Sequence, residues 1–246
     1  MLRIEYAYMT HPGNCRTMNQ DNLVCMGEYL PRIHDRTDWP VAGSAEPDSC
    51  ALFGVFDGMG GGEQGETAAW IAAKTAAETD IRDSGGMTRF CGEANRKICR
   101  YAKVNRIRSI GTTASMLLFD GNGAYSCHIG DSRIYRCDYG IPEQLTHDDA
   151  WPSLPGRKPA LLQCLGIPES EMRILPHVDY YPILARSVFM ICTDGLTDML
   201  TENRIAGVLS DGEGLEKQTR TLLNEALEAG GRDNITLLLI RASPLR

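Results

Sequence analysis

Two apolar runs, in opposite halves of this chain, end in the same pair of residues. Phe53-Gly54-Val55-Phe56 leads into Asp57-Gly58, and Phe189-Met190-Ile191-Cys192-Thr193 leads into Asp194-Gly195. A short, continuous apolar run reads as a strand buried on both faces. A glycine directly after the aspartate allows the backbone to turn sharply where the strand ends. The chain thus delivers a carboxylate to the end of a buried strand twice. Two further acids stand near its ends, Asp21 in Arg16-Thr17-Met18-Asn19-Gln20-Asp21 and Asp233 in Gly231-Arg232-Asp233-Asn234. Positions 21, 57, 194 and 233 share one site only if both ends of the chain fold back together. That requires non-local topology and a single domain over residues 1–246.

Composition agrees with a folded domain of that size. The chain has 246 residues, 43% of them hydrophobic and 23% charged, enough to bury a core without covalent staples. Its net charge of −7 argues against a nucleic-acid partner. The nine cysteines form no Cys-x-x-Cys pair and their number is odd. They read as reduced thiols of a cytoplasmic protein, with no spacing that suits structural zinc. The N-terminus has no apolar stretch of signal-peptide length, and no run approaches the roughly 20 apolar residues of a membrane span.

Strands are expected over residues 2–8, 22–26, 50–56, 112–119, 124–129, 133–137, 187–193 and 234–240. Helices are expected from about 63, through the Ala-rich stretch to Lys74, and over 87–104, 203–209 and 214–228. Residues 27–50, with three prolines, read as a surface excursion. Asp120-Gly121-Asn122-Gly123 reads as a hairpin turn, and 112–137 as a meander of three strands. Blocks of strands and of helix pairs, without strict alternation, fit an α+β layered sandwich better than a doubly wound parallel sheet.

Asp57 alone is open to two readings. It is either a bridging metal ligand, with the Gly58 carbonyl beside it, or a turn or helix-capping aspartate. Repetition at Asp194, and Asp233 at a strand entrance, favour a shared cation. All-oxygen ligands without a histidine cluster suit Mg²⁺ or Mn²⁺. Gly130-Asp131-Ser132-Arg133 adds another acid and an arginine, which suggests that the cations serve a phosphate.

Seven ordered blocks then resemble the PPM family of metal-dependent protein phosphatases, the 2C type in its bacterial form. They are Arg16-x-x-Asn19-Gln20-Asp21, Val55-Phe56-Asp57-Gly58-Met59-Gly60-Gly61, Gly111-Thr112-Thr113-Ala114, Ile129-Gly130-Asp131-Ser132-Arg133-Ile134-Tyr135, Leu145-Thr146-x-Asp148, Thr193-Asp194-Gly195-Leu196-Thr197-Asp198 and Asp233-Asn234-Ile235-Thr236. The resemblance implies a central antiparallel β-sandwich flanked by helix pairs. It implies two divalent cations, Mn²⁺ or Mg²⁺, bridged by Asp57, with Gly58 giving its carbonyl to one and Asp194 and Asp233 holding the other. Asp21 would act through metal-bound water. Asp131 matches the acid of a third, looser cation shared with Asp194 and supported by Asp198. Arg16 matches the arginine that binds the substrate phosphate.

The activity so implied is hydrolysis of phosphoserine and phosphothreonine in proteins, by direct attack of water activated at two metals. Arg16, Asp57 and Asp194 carry the catalysis, and no cysteine or serine nucleophile is needed. The expected partners are a phosphoprotein substrate and an opposing Ser/Thr kinase, met by a cytoplasmic monomer. The alternative is a PPM-fold binding module with weak or no activity, but that reading predicts loss of acids that are all present.

Departures from the family pattern concern the surroundings of the metals. Gln20 replaces a common glutamate, and Met59 removes a candidate general acid. The flap is reduced to Trp151–Pro159, followed by Leu161-Leu162-Gln163-Cys164-Leu165-Gly166. An open site of lower peptide selectivity follows, with contributions from Trp151, Arg157 and Lys158. Trp70, Ile71 and His128 read as core, Thr112-Thr113 as strand packing, and Glu63 and Glu66 as favourable charges at a helix start. His11 and His147 read as loop residues, the second being the better acid candidate.

Overall fold

The computed structural model describes residues 2–46, 50–59, 64–138, 141–152, 160–183 and 187–244. Its elements in chain order begin with β1 (Leu2–His11), β2 (Asn22–Cys25), β3 (Glu28–Tyr29), β4 (Val41–Ala45), β5 (Ala51–Phe56) and β6 (Gly58–Met59). The helices α1 (Gly65–Glu78) and α2 (Ser84–Asn105) follow, then β7 (Gly111–Thr112), β8 (Ala114–Phe119), β9 (Gly123–Ile129), β10 (Arg133–Asp138), β11 (Ile141–Gln144), β12 (His177–Pro182) and β13 (Val188–Cys192). The chain closes with α3 (Asp194–Thr197), α4 (Glu202–Leu209), α5 (Leu215–Glu228) and β14 (Ile235–Pro244).

Among the described residues two sheets of six strands carry the architecture, in the orders β11-β10-β13-β14-β1-β4 and β12-β9-β8-β5-β2-β3, every pairing antiparallel. Strand periodicity sorts their side chains into three cores. Odd and even residues of β14 part company: Leu238 and Ile240 meet the other sheet, while Leu237 and Leu239 meet α3, α4 and α5. In β5 and β8 the same alternation sends Phe53, Val55, Leu117 and Phe119 inward, and Phe56, Met116 and Leu118 towards α1 and α2. The central strands are therefore covered on both faces, which is why they read as continuous apolar runs. The result is the expected α+β sandwich in four layers.

Two sequence expectations change. Residues 27–50 are not all surface excursion, since they contain β3 and also β4, which pairs with β1 from Ile4↔Ala45 to Tyr8↔Val41. β4 is a mostly exposed edge strand of small residues, so no apolar alternation announces it. The three-strand meander is not formed either. β8 and β9 pair, but β10 crosses to the other sheet and lies between β11 and β13. Apolar patterning does not reveal which sheet a strand joins when both sheets are buried on the inside. β12, another exposed edge, fills the place beside β9.

Phe119 links the two sheets. Its ring meets Phe53 at 5.9 Å and Phe189 at 5.4 Å, both edge-on. It is fully buried, so Phe119→Ala leaves a cavity that both sheets line. The expected loss is about 3–5 kcal/mol of stability, read as a lower urea midpoint without a change in slope.

Candidate metal centre

The acids converge at one edge of the sandwich. Asp57 follows β5, Asp194 opens α3 directly after β13, and Asp131 sits in the connection from β9 to β10. One carboxylate oxygen from each lies within 4.8 Å of the others. Asp131 and Asp194 are only 8% and 6% exposed. Like charges so close repel, the more so out of water. Three carboxylates of this kind form a hard-oxygen donor set for a divalent cation.

Both Asp-Gly pairs use their glycine for close approach. A Cβ on Gly58 would lie 2.3 Å from the Gly65 carbonyl oxygen and 2.4 Å from that of Gln20. One on Gly195 would lie 1.9 Å from the Asn234 carbonyl oxygen. The backbones that carry Asp57, Asp194 and Asp233 can thus pack without side chains between them. Thr113 fixes Asp57 further. Its Oγ1 accepts from Asp57 N at 2.9 Å, its own N donates to Asp57 O at 3.0 Å, and its hydroxyl meets Ser132 Oγ at 2.7 Å.

Asp21 is 1% exposed and lies under this edge. Oδ2 accepts from Thr193 Oγ1 at 2.9 Å and from Thr236 Oγ1 at 2.7 Å. Behind them, Thr10 Oγ1 is 2.7 Å from Thr236 Oγ1 and accepts from Asn19 Nδ2 at 2.8 Å. Oδ1 is buried with no hydrogen-bond partner among the described residues. Burial pushes the carboxyl up to about 7, opposed by the two threonine hydroxyls and assisted by the charges of Asp194 and Asp233. A buried carboxylate oxygen without a partner is costly, and a cation beside it removes that cost. The residues fit a divalent metal.

Arg16 completes the group. Its Nη2 donates to Asp233 Oδ2 at 2.8 Å, and half of its side chain is exposed. That bond, followed by the Asp233 charge, raises the guanidinium pKa, and Asp57 and Asp194 add to the effect. Asn234 holds the loop that carries Arg16. Its Oδ1 accepts from Gln20 N at 2.8 Å, and its Nδ2 donates to the carbonyls of Pro12 and Met18 at 3.0 and 2.9 Å.

Residues 38–230 match the family model described as protein phosphatase 2C. The chain belongs to the protein phosphatase 2C family. Among curated relatives, the serine/threonine phosphatase Stp of Listeria monocytogenes is 28% identical over 76% of this chain and 82% of its own. The protein phosphatase PhpP of Streptococcus pneumoniae is 26% identical over 96% of this chain and 97% of its own. The fold is shared with PppA of Pseudomonas aeruginosa, with a TM-score of 0.81 at 23% identity over 98% of both chains. It is also shared with the catalytic domain of PstP, solved with two manganese ions, with a TM-score of 0.78 at 24% identity over 98% of this chain and 99% of that one.

Within this 2C phosphatase several residues prove to have other places than their motifs suggest. Arg133 is held by Asp148 in a fork, Nε to Oδ1 at 2.9 Å and Nη2 to Oδ2 at 2.7 Å, so it braces β10 rather than facing a phosphate. Cys127 and Arg133 do have the Cys-x5-Arg spacing of cysteine phosphatases. Yet Cys127 is fully buried between sheet and helices, and burial leaves no route for a phosphoester to its sulfur. His128 is a core residue, with its ring nitrogens 2.9 Å from Ser115 Oγ and 3.1 Å from the His147 carbonyl oxygen. His11 is the last residue of β1, not a loop residue. Trp70 is only half-buried and lines a cleft, with Lys74 over its ring at 5.1 Å.

Sequence reasoning missed Thr10, Thr193, Thr236 and Asn234 as supports, although three of them stand inside quoted motifs. A hydroxyl or amide beside a motif acid was the available signal. It also missed Asp149, which accepts from Gly130 N at 3.0 Å and Gln163 Nε2 at 2.9 Å and meets His177 Nε2 at 2.9 Å, thereby fixing the turn before Asp131. Glu66, 6% exposed, accepts from Gln20 Nε2 at 3.4 Å and so places a carboxylate beside the neutral replacement. Glu63, Gly60, Gly61, Arg157 and Lys158 lie outside the described residues.

The raised Asp21 pKa has a definite sign in cation-free protein. The folded state holds this proton up to about pH 7, whereas the unfolded chain releases it near 3.8. Its contribution to stability is complete below the lower value and is lost as pH rises towards the upper one. In EDTA, Tm should fall between pH 5 and 7, at most about 1.4 kcal/mol of stability per pH unit. Asp21→Asn should flatten that dependence; an unchanged slope would locate its origin elsewhere.

Proposed function

We propose that this chain is a metal-dependent phosphoserine/phosphothreonine protein phosphatase, built as one domain over residues 1–246. The meeting of Asp57, Asp131 and Asp194 within 4.8 Å carries this reading. Asp57, the Gly58 carbonyl, Asp194 and Asp233 would hold two divalent cations, Mn²⁺ or Mg²⁺, with Asp21 beside them and Asp131 the acid of a third. When bound, these cations acidify the attacking water and neutralise the charge that builds on the phosphoryl group.

The protein's own groups perform the positioning. Arg16 presents a planar fork to two phosphate oxygens and orients the ester for in-line attack. Asn234 fixes the loop on which it stands, so the guanidinium reaches phosphate from a set origin. Thr193 and Thr236 hold one oxygen of Asp21 and leave the other without a hydrogen-bond partner among the described residues. Met59 is no proton donor, so the leaving alkoxide takes its proton from solvent rather than from that position. Asp57, Asp194 and Asp233, the acids that an inactive binding module would lose, are all present.

The phosphatase acts in the cytoplasm as a monomer and reverses a Ser/Thr kinase. Among the described residues no helix is long and apolar enough to cross a membrane. The short flap supports an open entrance. Its base is closed by Trp151 N donating to the Ala160 carbonyl at 2.9 Å, and Trp151 itself is 62% exposed.

Phosphate release from a phosphothreonine peptide tests the reaction. Activity should require Mn²⁺ or Mg²⁺, vanish in EDTA, and drop by at least about 100-fold in Asp194→Ala. Activity that survives both treatments would sink the mechanism, and none under any condition would favour a binding module. Arg16→Ala should lower kcat/KM by roughly 10- to 150-fold, the worth of charged hydrogen bonds of about 1.5–3 kcal/mol. Unchanged kinetics would remove Arg16 from substrate binding.

A further inference from the structure

Residues 84–108 span α2 and the turn after it, and they hold seven Lys and Arg against one acid, Glu93. The whole chain has a net charge of −7, so its positive charge is strongly gathered here. Lys97 is paired with Glu93 at 2.8 Å and Lys74 of α1 with Glu78 at 3.7 Å, so these two lysines add little field. Arg96, Arg100, Lys103, Arg106 and Arg108 are exposed, and none is ion-paired with a carboxylate among the described residues. Arg96, Arg100 and Lys103 stand at i, i+4 and i+7 and share one helix face.

Beside this stripe, α1 and α2 enclose a groove of about 560 Å³. Trp70, Ile71, Tyr101 and Val104 form its apolar walls, and Lys97 and Arg100 line it as well. Val104 is 73% exposed. The entrance is held in shape by Tyr101, whose hydroxyl donates to Gln64 Oε1 at 2.8 Å. Asn105 belongs to this groove and to a second cavity of about 450 Å³, which Met18, Gln20 and Glu66 also line. Met18 and Gln20 belong to the loop that carries Arg16. The groove is therefore continuous with the rim of the metal centre.

We propose that this groove and its arginine stripe dock an acidic segment of the phosphoprotein substrate, a few residues from the phosphorylated side chain. The proposal rests on the phosphatase reading and deepens it. The cations and Arg16 of the centre are taken up by the phosphate itself, and a basic patch offset from them gives acidic sequence a separate anchor. From Arg96 to Arg106 the helix rises about 15 Å, the reach of about five extended residues. The apolar walls accept one aliphatic or aromatic side chain among those acids.

The test compares three phosphothreonine peptides: one neutral, and one each with a run of Asp and Glu before or after the phosphoresidue. p-Nitrophenyl phosphate serves as the reference for basal turnover. At 0.1 M salt or below, KM for at least one acidic peptide should be roughly 5- to 10-fold lower than for the neutral one. The advantage should vanish at 0.5 M salt and in Arg96→Glu/Arg100→Glu/Lys103→Glu, with hydrolysis of the reference and the neutral peptide unchanged. The Gln triple variant should lie between. No preference for either acidic peptide, or a preference that the triple variant retains, overturns the proposal. Binding of phosphatidylserine vesicles by the stripe, without a peptide preference, overturns it in favour of a membrane surface. Failure to hydrolyse even the reference counts against the phosphatase reading instead. In that case fluorescence anisotropy of a labelled acidic peptide decides the docking, which the triple variant should abolish.

Discussion

The whole arrangement depends on the pairing of β1 with β14. Ten consecutive residues at the start of the chain lie antiparallel to ten at its end, from Leu2↔Pro244 to His11↔Ile235. That register sets Thr10 opposite Thr236, and the loop after β1 opposite Asp233 and Asn234. Without it Arg16 and Asp21 would have no fixed relation to the other acids. The ladder is also the most non-local one in the fold, so its closure must await the collapse of the intervening sheets and costs the largest loop entropy. The site is thus assembled by tertiary structure and not by any local segment.

The electrostatics of the edge follow from that assembly. Acids from five separate stretches are brought together and partly removed from water. Among the described residues Arg16 faces them, and it is bonded to Asp233. Elsewhere the protein neutralises its buried acids with fixed partners, as in the Arg133–Asp148 fork and the three donors around Asp149. The contrast between satisfied acids in the frame and a carboxylate oxygen of Asp21 without a hydrogen-bond donor among the described residues separates scaffold from site.

Much of this was legible in the residues. The buried central strands announce themselves because helices cover one face and the second sheet the other, which leaves continuous apolar runs such as Leu237 to Ile240. Asp57, Asp131 and Asp194 could be named because aspartate at a strand end beside glycine is a local signal. β4 and β12 were not legible, since an exposed edge strand has no reason to be apolar. The crossing of β10 to the other sheet was hidden because alternation reports burial and not partnership. The threonines around Asp21 escaped notice for a related reason. A hydroxyl in a strand serves packing and hydrogen bonding equally well, and only the fold shows that Thr193 and Thr236 point at one carboxylate, with Thr10 behind Thr236.

Those hydroxyls have a consequence for proton traffic. A threonine has one proton to give. While Asp21 is ionised, Thr236 gives its proton to Oδ2, so Thr10 must give its own to Thr236 and receive one from Asn19. Every donor in the thread points the same way. The thread begins at Asn19, whose amide also holds the carbonyl of Asp35 in a surface loop. A proton hopping inward would have to be replaced from Asn19, and an amide N–H does not ionise, so the thread conducts none. Asp21 can exchange protons only through its other oxygen, which has no hydrogen-bond partner among the described residues. The threonine thread is a dead end for protons: it insulates the site's chemistry from the loop behind it while fixing the carboxylate in place.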